Sequence, residues 1–245
     1  MSNSKQPRIL GEDPSYFGLN NPAPTSLASV ARQKQNEINE YWMAHGVYLM
    51  DPNAIYIGPK VKLGRGTILE AGTHIYGQSV IGENNHIGPS SYLENVRMGN
   101  GNEVRFSHIE DTEIGDENEI GPYFRARDNT KIGSHTRVGN FVEFKHVVFA
   151  SSSKAAHLSY LGDATVEENV NIGAGTITAN YDGKEKHSTH IQQGAFIGSD
   201  SVLIAPINIG KDAVVAAGST LTEDVPAKGL GIARSRQTNK ENYKK

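Results

Sequence analysis

Aliphatic residues recur at every sixth position along most of the chain. The first and most regular run of these positions is Ile57, Leu63, Leu69, Ile75, Ile81, Ile87 and Leu93. The phase then slips slightly, and the repeat continues to Ile172 and, after an interruption, from Ile191 to Leu221. A sustained period of six fits neither an α-helix nor a simple hairpin. It predicts a parallel β-helix, in which each six-residue unit forms one flat side of a coil.

The residues between the aliphatic positions support this prediction. Gly, Asn and Asp recur where the chain would turn a corner, and these residues tolerate a positive φ best. Three sides give a coil of about eighteen residues, so about 150 residues outside the interruption form roughly eight coils. With ~4.8 Å between stacked strands, the prism is expected to be on the order of 40 Å long.

An amphipathic pattern from Leu27 to Trp42 predicts a helix ahead of the prism, with Gly46 as its stop. We expect Trp42 to pack this helix on the prism. The polar loop that interrupts the repeat is either a binding element or a tolerated insertion, and its cations and Tyr181 favour binding. The expected segments are a flexible lead at 1–25, the helix at 26–46, the β-helix at 47–225 with the loop at 179–190, and a C-terminal tail at 226–245.

Composition excludes several classes of function. The chain has 245 residues and a formal net charge of −3, which gives no reason to expect a nucleic-acid partner. It has no cysteine, so disulfides, a thiolate nucleophile and Cys-based metal sites are excluded. No apolar run approaches the ~18 residues that a membrane crossing needs. The N-terminal residues contain no apolar stretch of the kind found in secretory signal peptides, so we do not expect secretion. We therefore expect a cytoplasmic protein that binds neither nucleic acid nor a membrane.

Candidate chemistry concentrates ahead of the loop. Lys145 follows Arg127 by eighteen residues, which is one coil, and two cations on adjacent coils suit a phosphate group. His157 is either a general base or an ordinary polar residue. Four other histidines fit no sharp pattern of metal ligands, so no metal site is expected. They are His86, His108, His135 and His146.

Longer motifs carry a resemblance to a known family. They are Arg125–Arg127, Val138–Lys145, Lys154–Asp163, Asn171–Thr176, Asn180–Gly183, Gly198–Asp200, Ala216–Gly218 and Arg234–Thr238. Together they resemble the acetyltransferase domain of the bifunctional bacterial GlmU enzymes, over roughly residues 26 to 240. These motifs are much more specific than the six-residue repeat, which many acyltransferases share.

The resemblance implies an all-β solenoid, a left-handed parallel β-helix with an N-terminal α-helix and a C-terminal tail. It also implies a homotrimer that transfers an acetyl group from acetyl-CoA to glucosamine 1-phosphate, with His157 as general base. The positions that match acceptor-binding residues are Arg127, Lys145, Tyr160 and Asn171, with Glu143 near the amine and Lys186 reaching a neighbouring subunit's phosphate. The positions that match the acetyl-CoA site are Ala174, Asn180, Tyr181, Ser199, Ala217 and Arg234.

One departure from the family leaves alternatives open. Residues 1–25 contain no Gly-rich nucleotide loop ahead of the helix, so we do not expect the family's nucleotidyltransferase domain in this sequence. We therefore expect no uridylyl transfer from this chain. Either a separate nucleotidyltransferase performs that step, or the chain is an isolated domain. The acceptor could also be another amino sugar. A non-catalytic trimeric scaffold is the alternative from a different class of function. A metal-dependent enzyme with the same prism fold is a third, weaker alternative.

Overall fold

A computed structural model describes residues 24–241 and residue 243. The helix α1 spans Pro24–Ala44, and a single 3-10 turn spans Pro52–Ala54. Short parallel strands make up most of the remaining described chain. The strands β1 to β28, in chain order, span Tyr48–Leu49, Tyr56–Ile57, Lys62–Leu63, Ile68–Leu69, His74–Tyr76, Val80–Ile81, His86–Ile87, Tyr92–Glu94, Arg97–Met98, Glu103–Val104, His108–Glu110, Glu113–Ile114, Glu119–Ile120, Phe124–Arg127, Lys131–Ile132, Arg137–Val138, Val142–Phe149, Lys154–Ala155, Tyr160–Val166, Asn171–Ile172, Ile177–Ala179, Thr189–Ile191, Phe196–Ile197, Val202–Ile204, Ile207–Ile209, Val214–Val215, Thr220–Leu221 and Leu230–Gly231.

The strands stack into three sides of a solenoid. The first side runs from β1 to β28 through eleven strands that pair only with one another. The second side runs from β2 through β14 to β27, and the third from β3 through β15 to β25. The long strands β17 and β19 continue around the corner between the second and third sides. The predicted parallel β-helix is therefore confirmed.

The expected number of coils was too small, because the solenoid has about ten turns. Several middle coils are shorter than eighteen residues: Arg97 pairs with Glu113, sixteen residues further on, and His108 pairs with Arg125, seventeen further on. These short coils also explain the slip in the six-residue phase. At the far end, β28 lies within the segment 226–245 that was assigned to the tail, so the solenoid extends beyond residue 225.

The interior is filled by the repeated aliphatic residues, with three fully buried phenylalanines near its middle: Phe124, Phe144 and Phe149. A ladder of buried asparagines also runs through three coils. Nδ2 of Asn102 donates to Oδ1 of Asn85 at 3.0 Å, and Nδ2 of Asn118 donates to Oδ1 of Asn102 at 2.8 Å. The backbone N–H of each next coil donates to the same oxygens, so these buried amides are paired along the axis.

The corners use the left-handed backbone region, as the sequence predicted. At Gly66, with φ +78°, a Cβ would come within 2.2 Å of Oδ1 of Asn84, so a larger residue would strain the backbone and displace that side chain. One corner differs, because successive coils place bulky residues there in the same conformation. Phe106, Tyr123 and Phe141 all have positive φ and are exposed, and the rings of Tyr123 and Phe141 stack at 4.8 Å.

The helix lies against the start of the prism. Trp42 and Ile38 pack on the core, which confirms the prediction for Trp42. Asn39 is buried, and its Nδ2 donates to the carbonyl oxygens of Pro52 and Ile55. The helix spans 24–44, two residues earlier at each end than expected. The predicted lead at 1–25 lies almost entirely outside the described residues, and within those residues no helix is long and apolar enough to cross a membrane.

Candidate functional site

Two cations on the second side form the centre of the site. Arg127 ends β14, and its Cα partner in register is Lys145 on β17. The predicted stacking of these two residues on adjacent coils is thus confirmed. Both side chains are mostly buried, with 24% of Arg127 and 17% of Lys145 exposed. Partial burial strengthens their attraction for an anion, because less water screens the charge.

A carboxylate lies beside this pair. The guanidinium of Arg127 donates a hydrogen bond to Glu143, whose register partner on the next coil is Tyr160. Burial by itself would lower the pKa of Arg127. The bond to Glu143, with the charges of Glu143 and Asp128, outweighs burial and raises that pKa. Arg127 therefore stays cationic throughout the range in which an enzyme works.

The polar loop brings a third cation to the same place. Tyr181 and Lys186 form an antiparallel bridge, and the N–H of His187 donates to the carbonyl oxygen of Asn180, so residues 180–187 form a hairpin. The ammonium of Lys186 lies against that of Lys145 in the same chain. This contact, followed by burial, lowers the pKa of Lys145. Two adjacent ammonium groups are typical of a site that holds a multiply charged anion.

Asp163 is part of the site, although the sequence analysis gave it no role. It accepts hydrogen bonds from His146 and Asn180. Burial would raise the pKa of Asp163, but those two bonds and the charges of Lys186 and Lys145 lower it below its ordinary value. A signal was present in the sequence, because His146, Asp163 and Asn180 are spaced by seventeen residues, the length of a short coil.

Gly162 makes room for the tyrosine of the site. A Cβ on Gly162 would come within 2.5 Å of the Tyr160 hydroxyl and 2.8 Å of Nδ2 of Asn180. The Tyr160 hydroxyl therefore lies over this glycine, next to the root of the hairpin. Asn171 is elsewhere: it lies on the first side, with Lys154 and Phe196 as its register partners.

His157 lies at the corner that precedes β19, three residues before Tyr160, and is exposed. Nδ2 of Asn140, on the preceding coil, is 3.2 Å from its Nδ1. The histidine is thus at one edge of the second side, and Asp163 is at the other edge. Within the described residues, no group of three or more His, Asp or Glu is placed to hold a metal ion.

Small residues continue from His157 along the same corner. Successive coils stack four register partners: Ala155, Ile172, Ile197 and Val215. The residues two positions after each of these partners therefore form a second column at the corner. These positions are His157, Ala174, Ser199 and Ala217. Arg234 lies beside the end of the column, since its Cδ is 3.9 Å from where a Gly218 Cβ would be. Asn180 and Tyr181 are not in this column and belong to the hairpin.

Comparison with known proteins identifies the class. Residues 60–95 match the family model for bacterial transferase hexapeptides (six repeats), and residues 189–223 match the hexapeptide repeat of succinyl-transferase. The hexapeptide repeat of bacterial transferases thus occurs in two separate parts of the chain. Its sequence is similar to the bifunctional protein GlmU of several bacteria, so the resemblance seen in the motifs is confirmed.

The similarity covers nearly all of this chain and about half of its relatives. The GlmU of Geobacillus sp. (strain WCH70) is 50% identical over 89% of this chain and 48% of its own length. That of Carboxydothermus hydrogenoformans is 46% identical over 96% of this chain and 52% of its own length. A solved structure, the polySia specific acetyltransferase NeuO, is far more distant: it is 14% identical, with a TM-score of 0.35, over 80% of this chain and 92% of its own.

Proposed function

We propose that the protein transfers an acetyl group from acetyl-CoA to the amine of glucosamine 1-phosphate, which gives N-acetylglucosamine 1-phosphate for the synthesis of UDP-N-acetylglucosamine. The observation that carries this proposal is the convergence of Arg127, Lys145 and Lys186 on the side that begins at His157. What supports the proposal is that these cations, expected to bind phosphate, lie on the same side as the expected base.

The acceptor phosphate binds between the three cations. A phosphate monoester carries close to two negative charges at neutral pH and has three oxygens that accept hydrogen bonds. The guanidinium of Arg127 and the ammonium groups of Lys145 and Lys186 supply donors around it. Tyr160, on the same side, completes this part of the acceptor site. Glu143, held by Arg127, lies on the second side and faces the amine of the sugar.

The acetyl donor follows the column of small residues. Ala174, Ser199 and Ala217 leave room for the extended arm of acetyl-CoA beside the corner, and Arg234 pairs with a phosphate at its far end. The thioester then lies next to His157, where the column begins. Asn180 and Tyr181, at the start of the hairpin, close the site between the two substrates.

In the reaction itself, the amine nitrogen attacks the thioester carbonyl carbon. His157 takes a proton from the nitrogen as the N–C bond forms. The C–S bond then breaks, and the departing sulfur of coenzyme A takes up a proton. Holding the amine against the carbonyl is the main contribution of the site, because orientation replaces a rare encounter in solution.

The proposal is tested by acetyl-CoA consumption with a panel of acceptors: glucosamine 1-phosphate, glucosamine 6-phosphate, glucosamine and other amino-sugar 1-phosphates. We expect turnover with glucosamine 1-phosphate to exceed that with glucosamine and glucosamine 6-phosphate by at least about a hundredfold, because these two acceptors lose the charge-assisted contacts of a 1-phosphate. Preference for another acceptor would replace glucosamine 1-phosphate in the proposal. Absence of turnover with the whole panel would favour a trimeric scaffold.

A further inference from the structure

Asp163 is held from two sides. It follows Gly162 on β19, and only 15% of its side chain is exposed. Nδ1 of His146 donates to its Oδ1 at 2.9 Å, and Nδ2 of Asn180 donates to its Oδ2. Both carboxylate oxygens are therefore engaged within the protein, and its orientation is defined by neighbours on two different coils.

Asn180 connects this carboxylate to the hairpin 180–187. The backbone of Asn180 accepts a bond from His187 at 2.8 Å, which closes the base of the hairpin. Near the tip, Oδ1 of Asp182 accepts from the N–H groups of Lys184 and Glu185, both at 2.8 Å. The hairpin is thus internally bonded, so fixing Asn180 orients the whole element.

The same carboxylate faces a group of positive charge. Lys145 is approached by Asp128 from one corner, with 3.8 Å between Nζ and Oδ2, and by Lys186 from the hairpin. Arg127 is its neighbour in register. Asp163 lies close enough to both lysines to act on their charge. Two ammonium groups repel each other, and a nearby carboxylate offsets that repulsion when no phosphate is bound.

We propose that Asp163 is a positioning residue of the acceptor site: through Asn180 it orients the hairpin, and its charge lets Lys145 and Lys186 share one phosphate-binding position. The role in acceptor binding rests on the proposed function. The orientation of the hairpin does not, because it follows from hydrogen bonds within the chain.

The kinetic test uses Asp163→Asn, which keeps the shape of the side chain and removes its charge. Lys145 must be protonated to bind a phosphate, so the KM for glucosamine 1-phosphate rises once the pH passes the pKa of Lys145. Loss of Asp163 lowers that pKa, so the rise should begin about one pH unit earlier. At a pH above the pKa of Lys145 in both proteins, we expect a KM up to roughly tenfold above wild type, with kcat changed less than about threefold. The amine and phosphate of the acceptor titrate identically with both proteins.

The second test needs no substrate. Hydrogen exchange at the N–H groups of Asp182 and His187 reports whether the hairpin remains bonded and oriented. It should be at least about fivefold faster in Asp163→Asn. Asn180→Ala should also speed this exchange, but it should not move the rise of KM to lower pH, because the charge of Asp163 remains and displacement of Lys186 raises the pKa of Lys145. This variant separates the two roles.

Asp212→Asn is the matched control. Asp212 also has a left-handed backbone, with φ 56°, and it follows β25, which stacks three coils beyond β17 and its Lys145. It should behave as wild type in both tests. Unchanged hairpin exchange together with an unshifted KM profile in Asp163→Asn would overturn the inference. If wild type acetylates no acceptor in the panel, the proposed function fails, and the exchange measurement still decides the role of Asp163 in orienting the hairpin.

Discussion

The side-chain amide of Asn140 contacts the imidazole of His157 across two consecutive coils, with 3.2 Å between Nδ2 and Nδ1. Val138 and Ala155 are register partners on these coils, and Asn140 and His157 each lie two residues after one of them. The amide partner decides which imidazole nitrogen carries the proton. An amide oxygen facing Nδ1 accepts from Nδ1–H and leaves the lone pair on Nε2, whereas the amide nitrogen donates to Nδ1 and leaves the proton on Nε2.

Variants of Asn140 test this relationship. Asn140→Asp offers only acceptor oxygens, so Nδ1 of His157 carries the proton and the lone pair moves to Nε2, while the added negative charge stabilises the protonated imidazole. Because the base must be neutral, the rise of kcat with pH should move to higher pH by about one unit. Asn140→Leu should lower kcat by roughly tenfold or more through the loss of orientation. Profiles of kcat against pH for both variants check this, and wild-type kcat in Asn140→Leu would exclude a role for the amide.

Replacement of His157 separates chemistry from binding. In His157→Ala, kcat should fall about 10²–10⁴-fold, the typical contribution of a general base. The dissociation constants of both substrates should change little. The residual rate should still increase with pH, because the amine must itself be deprotonated before it attacks. Near-normal kcat at neutral pH would assign the histidine to structure, and the reaction would then depend on positioning alone.

The two buried cations should control acceptor affinity. Arg127→Ala and Lys145→Ala each remove a charge-assisted contact worth about 1.5–3 kcal/mol, so KM should rise roughly ten- to a hundredfold. Arg127→Ala should have the larger effect, because it also leaves Glu143 without its partner beside the incoming phosphate. Arg137→Ala is the control: its exposed side chain pairs with Glu119 on the first side. An unchanged KM in both site variants would place the phosphate elsewhere.

The asparagine ladder should contribute to stability without affecting the site. Asn102→Ala removes the acceptor of both the N–H and the side chain of Asn118, and the donor to Asn85. Unpaired buried groups cost about 1–3 kcal/mol each, so we expect the free energy of unfolding to fall by roughly 2–4 kcal/mol. Urea denaturation at fixed protein concentration measures this. Asn100→Ala, at an exposed corner, should cost less than about 1 kcal/mol because water replaces its contact.

We predict a homotrimer with three shared sites. Exposed apolar groups on one corner, including Phe141 at 62% exposure, are the kind of surface that association covers. Light scattering at micromolar concentration should give three times the 26.6 kDa mass of the chain. A stable monomer with full activity would contradict this prediction.

The periodic pattern was enough to predict much of the fold and the centre of the site. In stacked parallel coils, residues one coil apart become neighbours, so the spacing of Arg127 and Lys145 predicted their pairing. The same arithmetic failed for the number of coils, because sixteen- and seventeen-residue coils occur where the pattern shows only a small change of phase.

By itself, the sequence determined the solenoid, the column of buried aliphatic residues and the polar loop, since a six-residue period specifies which side chains point inward. It did not determine which outward-facing polar groups meet. The contact of Lys186 with Lys145, and the bonds from His146 and Asn180 to Asp163, depend on how the hairpin folds back over the second side. That geometry comes from specific hydrogen bonds between coils. The periodicity of the hydrophobic residues does not specify those bonds.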